Sequence, residues 1–89
     1  MIILFFGNEN CVKCKSLLEQ LVNADITKKA TLKIVDAFKD EYQDFCDEHG
    51  VDELPHIKIY HENKLLYELI GYGSSSDVKL IIDTVNNIK

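Results

Sequence analysis

Cys11-Val12-Lys13-Cys14 lies directly after the apolar run Ile2 to Phe6 and directly before a helical pattern that begins Leu17-Leu18. Two cysteines separated by two residues at a strand-to-helix turn can open and close a disulfide with almost no backbone movement. That geometry is redox chemistry, whereas a zinc site normally needs a second pair of ligands.

The 89 residues read as one domain spanning 1–89, and 46% hydrophobic residues in periodic runs support a packed core over disorder. The net charge is -5, and all ten basic residues are Lys. Without arginine the planar fork for bidentate phosphate and guanine contacts is missing, and an acidic surface repels nucleic acid and anionic lipid. Neither nucleic acid nor a membrane is therefore expected as a partner. Met1 to Gly7 lacks a basic flank and is too short for a signal segment or a membrane span, so it reads as a buried strand. With three cysteines, an odd number, a secreted disulfide framework is not expected, which leaves a cytoplasmic location.

Ile2-Ile3-Leu4-Phe5-Phe6 is continuous rather than alternating, as in a central strand covered on both faces. Cys14, Leu17, Leu18, Leu21 and Val22 follow at helical spacing, and that helix ends near Asn23 to Asp25. Thr31 to Val35 is a second strand, with Leu32 and Ile34 on one face. A polar connection from Asp36 leads to a helix whose stripe is Tyr42, Phe45, Cys46 and His49, closed by Gly50. Pro55 precedes a third strand, Ile57 to Tyr60. The polar turn His61 to Lys64 joins it to Leu65–Ile70 as an antiparallel hairpin. Ser75 or Ser76 caps a last helix with Val78, Ile81, Ile82, Val85 and Ile88 on its inner face. The order is βαβαββα.

This order, with the cysteine pair at the first strand-to-helix turn and a proline opening the third strand, resembles the thioredoxin fold over nearly the whole chain. Phe5 to Lys15 is similar to the family's active-site segment, and Val51 to Ile57 to the segment carrying its cis-proline. Gly71 stands where a later family glycine would. The implied architecture is α/β: a thioredoxin-like, four-stranded mixed sheet flanked by three helices. In length the chain resembles glutaredoxins and small archaeal or phage thioredoxin-like proteins.

Cys11 is the better nucleophile on physical grounds, because unpaired N–H groups and the macrodipole at a helix's first turn favour a thiolate. The family's mechanism implies that Cys11 attacks a substrate disulfide and that Cys14 resolves the mixed disulfide. Lys13 and Lys15 add positive charge nearby, worth about 1 kcal/mol or less each if exposed, which tunes the thiolate and does not create it. The resemblance further implies a cis Leu54-Pro55 bond and a substrate platform of Val12, Leu54, Pro55 and Gly71. Glu53 and His56 flank it, where they would select for charge. The bland expectation for His56 is a half-exposed strand position.

The chain departs from the family in places. Phe5 stands where full thioredoxins bury an acid, and Val12-Lys13 matches neither the usual thioredoxin nor the usual glutaredoxin pair. Asn8-Glu9-Asn10 offers no basic group to glutathione, and Gly73-Ser74-Ser75-Ser76-Asp77 is a partial match to the glutathione-holding segment of glutaredoxins.

The resulting expectation is a monomeric thiol-disulfide oxidoreductase acting through Cys11 and Cys14, with no cofactor beyond that redox-active disulfide and no metal. Its partners would be a disulfide-bearing client protein, with a ribonucleotide reductase among the candidates, and an upstream reductase or glutathione. A glutathione-dependent glutaredoxin-like enzyme is the first alternative. The second is a zinc site from Cys11-x-x-Cys14 and Cys46-x-x-His49. The third is an interaction module that uses the proline loop for binding only. Against zinc, Cys46 and His49 share the apolar stripe of Tyr42 and Phe45, where a cysteine is usually core.

Overall fold

The computed structural model describes residues 1–71 and 75–87. Its elements are β1 (Ile2–Gly7), α1 (Val12–Asn23), β2 (Thr31–Asp36), α2 (Gln43–Glu48), β3 (His56–His61), β4 (Lys64–Ile70) and α3 (Ser75–Asn86). Single 3₁₀ turns at Ile26–Lys28 and Asp40–Tyr42 precede β2 and α2. Gly73, Ser74 and Ile88, which the sequence places in the loop before α3 and on its inner stripe, lie outside the described residues.

The sheet order is β2-β1-β3-β4. β1 runs parallel to β2 and antiparallel to β3, and β3 and β4 form the hairpin. The unbroken apolar run of β1 follows from its central place, since alternate residues face two separate cores. Ile3 and Phe5 pack with Leu17 and Leu21 of α1 and with Val78, Ile81 and Val85 of α3. Leu4 and Phe6 face the other way, against Val35, Cys46, Tyr42, Phe45 and Val51.

The hairpin turn is tighter than the sequence suggests. His61 pairs with Lys64, leaving only Glu62 and Asn63 as the loop, with φ of 51° and 65°. Two left-handed residues match the right-handed twist of the strands, and Asn tolerates that conformation well. α2 is also shorter than its stripe, because Tyr42 belongs to the 3₁₀ turn and His49 is the residue that caps the helix C-terminus. Gly50 follows with φ 66°, and the Val51 N–H returns to the Cys46 carbonyl at 3.0 Å.

β2 is an edge strand, and this corrects the weight of its apolar residues. Val35 is fully buried, but Ile34 is 53% exposed. Ile34 borders an open cavity of about 350 Å³ shared with Phe5 and with Leu18 of α1.

Candidate active site

Four chain segments meet at one end of the sheet, and register explains why. Phe6 pairs with His56, Gly7 with Asp36, and His56 with Ile70. The turn leaving β1, the end of β2, the proline loop entering β3 and the glycine leaving β4 therefore lie at the same edge.

Gly7 ends β1 beneath α1. A Cβ there would stand 2.8 Å from the Phe5 ring and 3.3 Å from both Cβ and Sγ of Cys14. The strand can pass this close to the second cysteine only without a side chain. Residues 8–11 then form a turn closed by the Cys11 N–H donating to the Asn8 carbonyl at 3.0 Å. The Asn8 side chain accepts from the Asn10 N–H at 2.9 Å, an Asx turn of the kind that favours Asn at this position. Its Nδ2 donates to Asp36 Oδ1 at 3.0 Å. The bond from Asn8, and then that from the Phe38 N–H, hold the Asp36 carboxyl below its usual range.

Cys11 is the N-cap of α1, with φ -90° and ψ 107°, and its Sγ accepts from the Cys14 N–H at 3.2 Å. A sulfur thus takes the role that a Ser or Asp oxygen plays at most helix starts. Cys11 and Cys14 are joined as a disulfide across a Cα–Cα distance of 5.2 Å, within the usual span. Cys11 is half-buried, whereas Cys14 is 3% exposed and packed in the core on the inner face of α1. Val12, Lys13 and Lys15 are exposed on the first turn.

The Leu54-Pro55 bond is cis. Pro55 is buried, Leu54 half-buried and Glu53 exposed, and the Gly71 N–H donates to the Pro55 carbonyl at 2.8 Å. Gly71 has φ 76°, and a Cβ on it would lie 3.2 Å from the Glu53 carboxyl group. The positive φ favours glycine there, whereas the exposed Glu53 side chain could move aside.

His56 does not take the half-exposed position that its place before an alternating strand suggests. Its side chain is 1% exposed, with Nε2 2.7 Å from Glu68 Oε2, so it cannot select clients by charge. The cause is the second core: His56 lies on the Phe6 face, its ring 5.8 Å from that of Phe6. His49 sits there too, 5.5 Å from Phe6, with burial lowering its pKa. Cys46 and His49 are therefore across the sheet from Cys14, and burial pushes the Cys46 thiol up. Among the described residues no three metal-ligating side chains come together.

Glu68 and Asp36 were not singled out by sequence reasoning. Glu68 could have been found from the hairpin, where it is the direct cross-strand partner of Lys58. The His56 hydrogen bond, with smaller help from Lys58 and against the opposing effect of burial, holds its carboxyl below the ordinary 4.5. A lowered folded-state pKa adds stability at pH above the unfolded value, and this is lost as pH falls through the folded value. Wild type is therefore expected to lose stability below about pH 4.5 to an extent that Glu68→Gln does not. Glu68→Ala should cost about 1–3 kcal/mol at neutral pH, because buried His56, whose Nδ1 already has no partner among the described residues, loses its remaining one. Urea titrations of the three proteins at pH 7 and pH 3.5 check both effects.

The family model described as Thioredoxin matches residues 1–84. The chain belongs to the thioredoxin family. Solved structures of similar shape include thioredoxin 1 from Thermosipho africanus, with TM-score 0.78 and 20% identity over 97% of this chain and 91% of that one. Oxidized mitochondrial thioredoxin 3 from Saccharomyces cerevisiae has TM-score 0.76 and 17% identity over 98% and 77% of the two chains. A structure described only as a malarial protein has TM-score 0.75 and 23% identity over 92% of each chain. No curated protein sequence matches the chain. Thioredoxin-family membership, together with the Cys11–Cys14 pair at the start of α1, makes this protein a thiol-disulfide oxidoreductase acting on protein disulfides.

Proposed function

We propose that this thioredoxin-family protein reduces disulfides of a client protein in the cytoplasm, as a monomer, with electrons from an upstream reductase and no cofactor beyond Cys11–Cys14. The observation that carries the reading is the asymmetry of the pair: Cys11 is reachable and capped, and Cys14 is enclosed. In the reduced protein the Cys11 thiolate attacks one client sulfur, forming a mixed disulfide and expelling the other client sulfur as a thiolate. Cys14 then loses its proton and attacks Cys11 Sγ. The second client thiolate leaves, and the Cys11–Cys14 disulfide forms. Two electrons pass to the client, and its two thiolates take up protons.

The cis-proline loop, with Leu54 and Pro55 beside exposed Val12, is read as the platform for an extended client segment, and Gly71 as its far edge. A ribonucleotide reductase is one candidate client. Lys13 and Lys15 are exposed, so screening limits them to tuning. Glu9, Asp52 and Glu53, also exposed, favour a client segment without acidic groups.

The absence of arginine and the presence of Glu9 next to the redox turn disfavour glutathione, a carboxylate-rich tripeptide. Oxidised protein is therefore expected to be reduced by a thioredoxin reductase at least tenfold faster than by glutathione at matched reducing poise, about 1.4 kcal/mol of barrier. Stopped-flow kinetics with each reductant tests this. Faster reduction by glutathione would place the chain with glutathione-dependent oxidoreductases.

A further inference from the structure

The bridge from the end of β2 to the turn carrying Cys11 has no part in the exchange chemistry. Asn8 commits three polar groups around that turn: Nδ2 to Asp36 Oδ1 at 3.0 Å, Oδ1 to the Asn10 N–H at 2.9 Å, and its carbonyl to the Cys11 N–H at 3.0 Å. Asp36 Oδ1 also accepts from the Phe38 N–H at 3.0 Å, which ties the carboxylate to its own loop. The two strands end side by side, Gly7 opposite Asp36, with the Ala37 N–H donating to the Gly7 carbonyl at 2.8 Å.

Gly7 packs closely on Phe5 and Cys14, but the turn beyond it borders an open cavity of about 350 Å³ lined in part by Asn8, Glu9 and Asp36, so side-chain packing restrains residues 8–10 little on that flank. Hydrogen bonds must then supply the restraint that apolar contacts supply elsewhere. We propose that Asp36 is a positioning residue for the nucleophile: through Asn8 it latches the turn and thereby keeps Cys11 at the N-cap of α1. The latch rests on the reading of Cys11 as the attacking sulfur. It touches no substrate, and it acts by keeping the Cys11 sulfur where the N–H groups of the first helical turn stabilise a thiolate.

Charge and geometry predict opposite signs, which makes the idea testable. Removing a negative charge near Cys11 would by itself favour the thiolate and lower the pH midpoint of its alkylation. Loss of the latch would raise that midpoint. The experiment is iodoacetamide alkylation of the reduced proteins against pH, with peptide mapping, for wild type, Asp36→Ala, Asp36→Asn and Asn8→Ala, with thermal unfolding of each in parallel.

Asp36→Ala and Asn8→Ala should both raise the Cys11 midpoint and slow its alkylation at pH 7 by about three- to tenfold, the size of losing a capping hydrogen bond to an ionised acceptor. Asp36→Asn keeps an acceptor oxygen and removes only the charge, so its midpoint should lie at or below that of wild type. The double Asn8→Ala, Asp36→Ala variant should raise the midpoint by less than the sum of the two single effects, because the bond between the two side chains is lost in both. A midpoint that falls or stays put in Asp36→Ala, or that rises as much in Asp36→Asn, overturns the latch, as does a change in unfolding temperature alone. Should Asp36→Ala not fold, Asn8→Ala and Asp36→Asn decide the matter by the same criteria. Cys14 reacting before Cys11 in wild type would instead overturn the assignment of the nucleophile, and the latch with it.

Discussion

Cys11→Ser is expected to bring reduction of a protein disulfide down to the background rate, while Cys14→Ser keeps the first step and accumulates a client joined to Cys11. A serine hydroxyl is almost wholly protonated at neutral pH, and its oxygen does not exchange into a disulfide, so nothing replaces the lost thiolate. Cys14, 3% exposed on the inner face of α1, cannot meet a client sulfur in its place. Cys46 cannot either: it is 5% exposed, lies with Phe6 on the opposite face, and burial raises its pKa. In Cys14→Ser the mixed disulfide still forms, but no second thiol resolves it. Insulin turnover with a general reductant measures the first effect, and a non-reducing gel or intact mass shows the trapped adduct in the second. Turnover by Cys11→Ser, or an adduct on Cys14, would reverse the two roles. Cys46→Ala should leave turnover intact.

The features legible in the sequence were those with a local cause. The run Ile2 to Phe6 reads as a doubly covered strand because every residue in it is apolar, and Phe5 and Phe6 do go to opposite cores. The cysteine pair reads as a strand-to-helix turn because a helical stripe begins directly behind it. The illegible features depend on long-range register. His56 and Ile34 each look ordinary in their segments, yet the histidine is enclosed and the isoleucine is open. Sheet order decides this, by making β3 central and β2 an edge. The bond from Asn8 to Asp36 spans 28 residues and has no signature other than an Asn before a turn and an acid ending a strand. The family resemblance supplied the cis bond at Pro55, which residue types alone do not specify.

The second core, across the sheet from the redox pair, should carry the largest stability effect of any single truncation there. Phe6 is fully buried, and its ring lies 5.8 Å from that of Phe45, 5.5 Å from that of His49 and 5.8 Å from that of His56. Among the described residues, this face is covered by α2, six residues long, and the segments on either side of it. The first core, by contrast, has α1 and α3, each of twelve residues. Phe6→Ala should cost about 3–5 kcal/mol, through lost transfer energy and a cavity that so short a helix fills poorly. Set against a total of roughly 5–15 kcal/mol for a domain, this lowers the unfolding temperature by on the order of 20 °C. Ile34→Ala, a truncation in the neighbouring strand, should cost under about 1 kcal/mol because that side chain is 53% exposed. Cys11 alkylation in the folded fraction of Phe6→Ala should match wild type, since Phe6 points away from the cysteine pair. Urea denaturation of the two variants measures the contrast. Equal losses would mean that β2 is covered where the structure leaves it open, and a loss below about 1 kcal/mol for Phe6→Ala would mean that the second core is not packed.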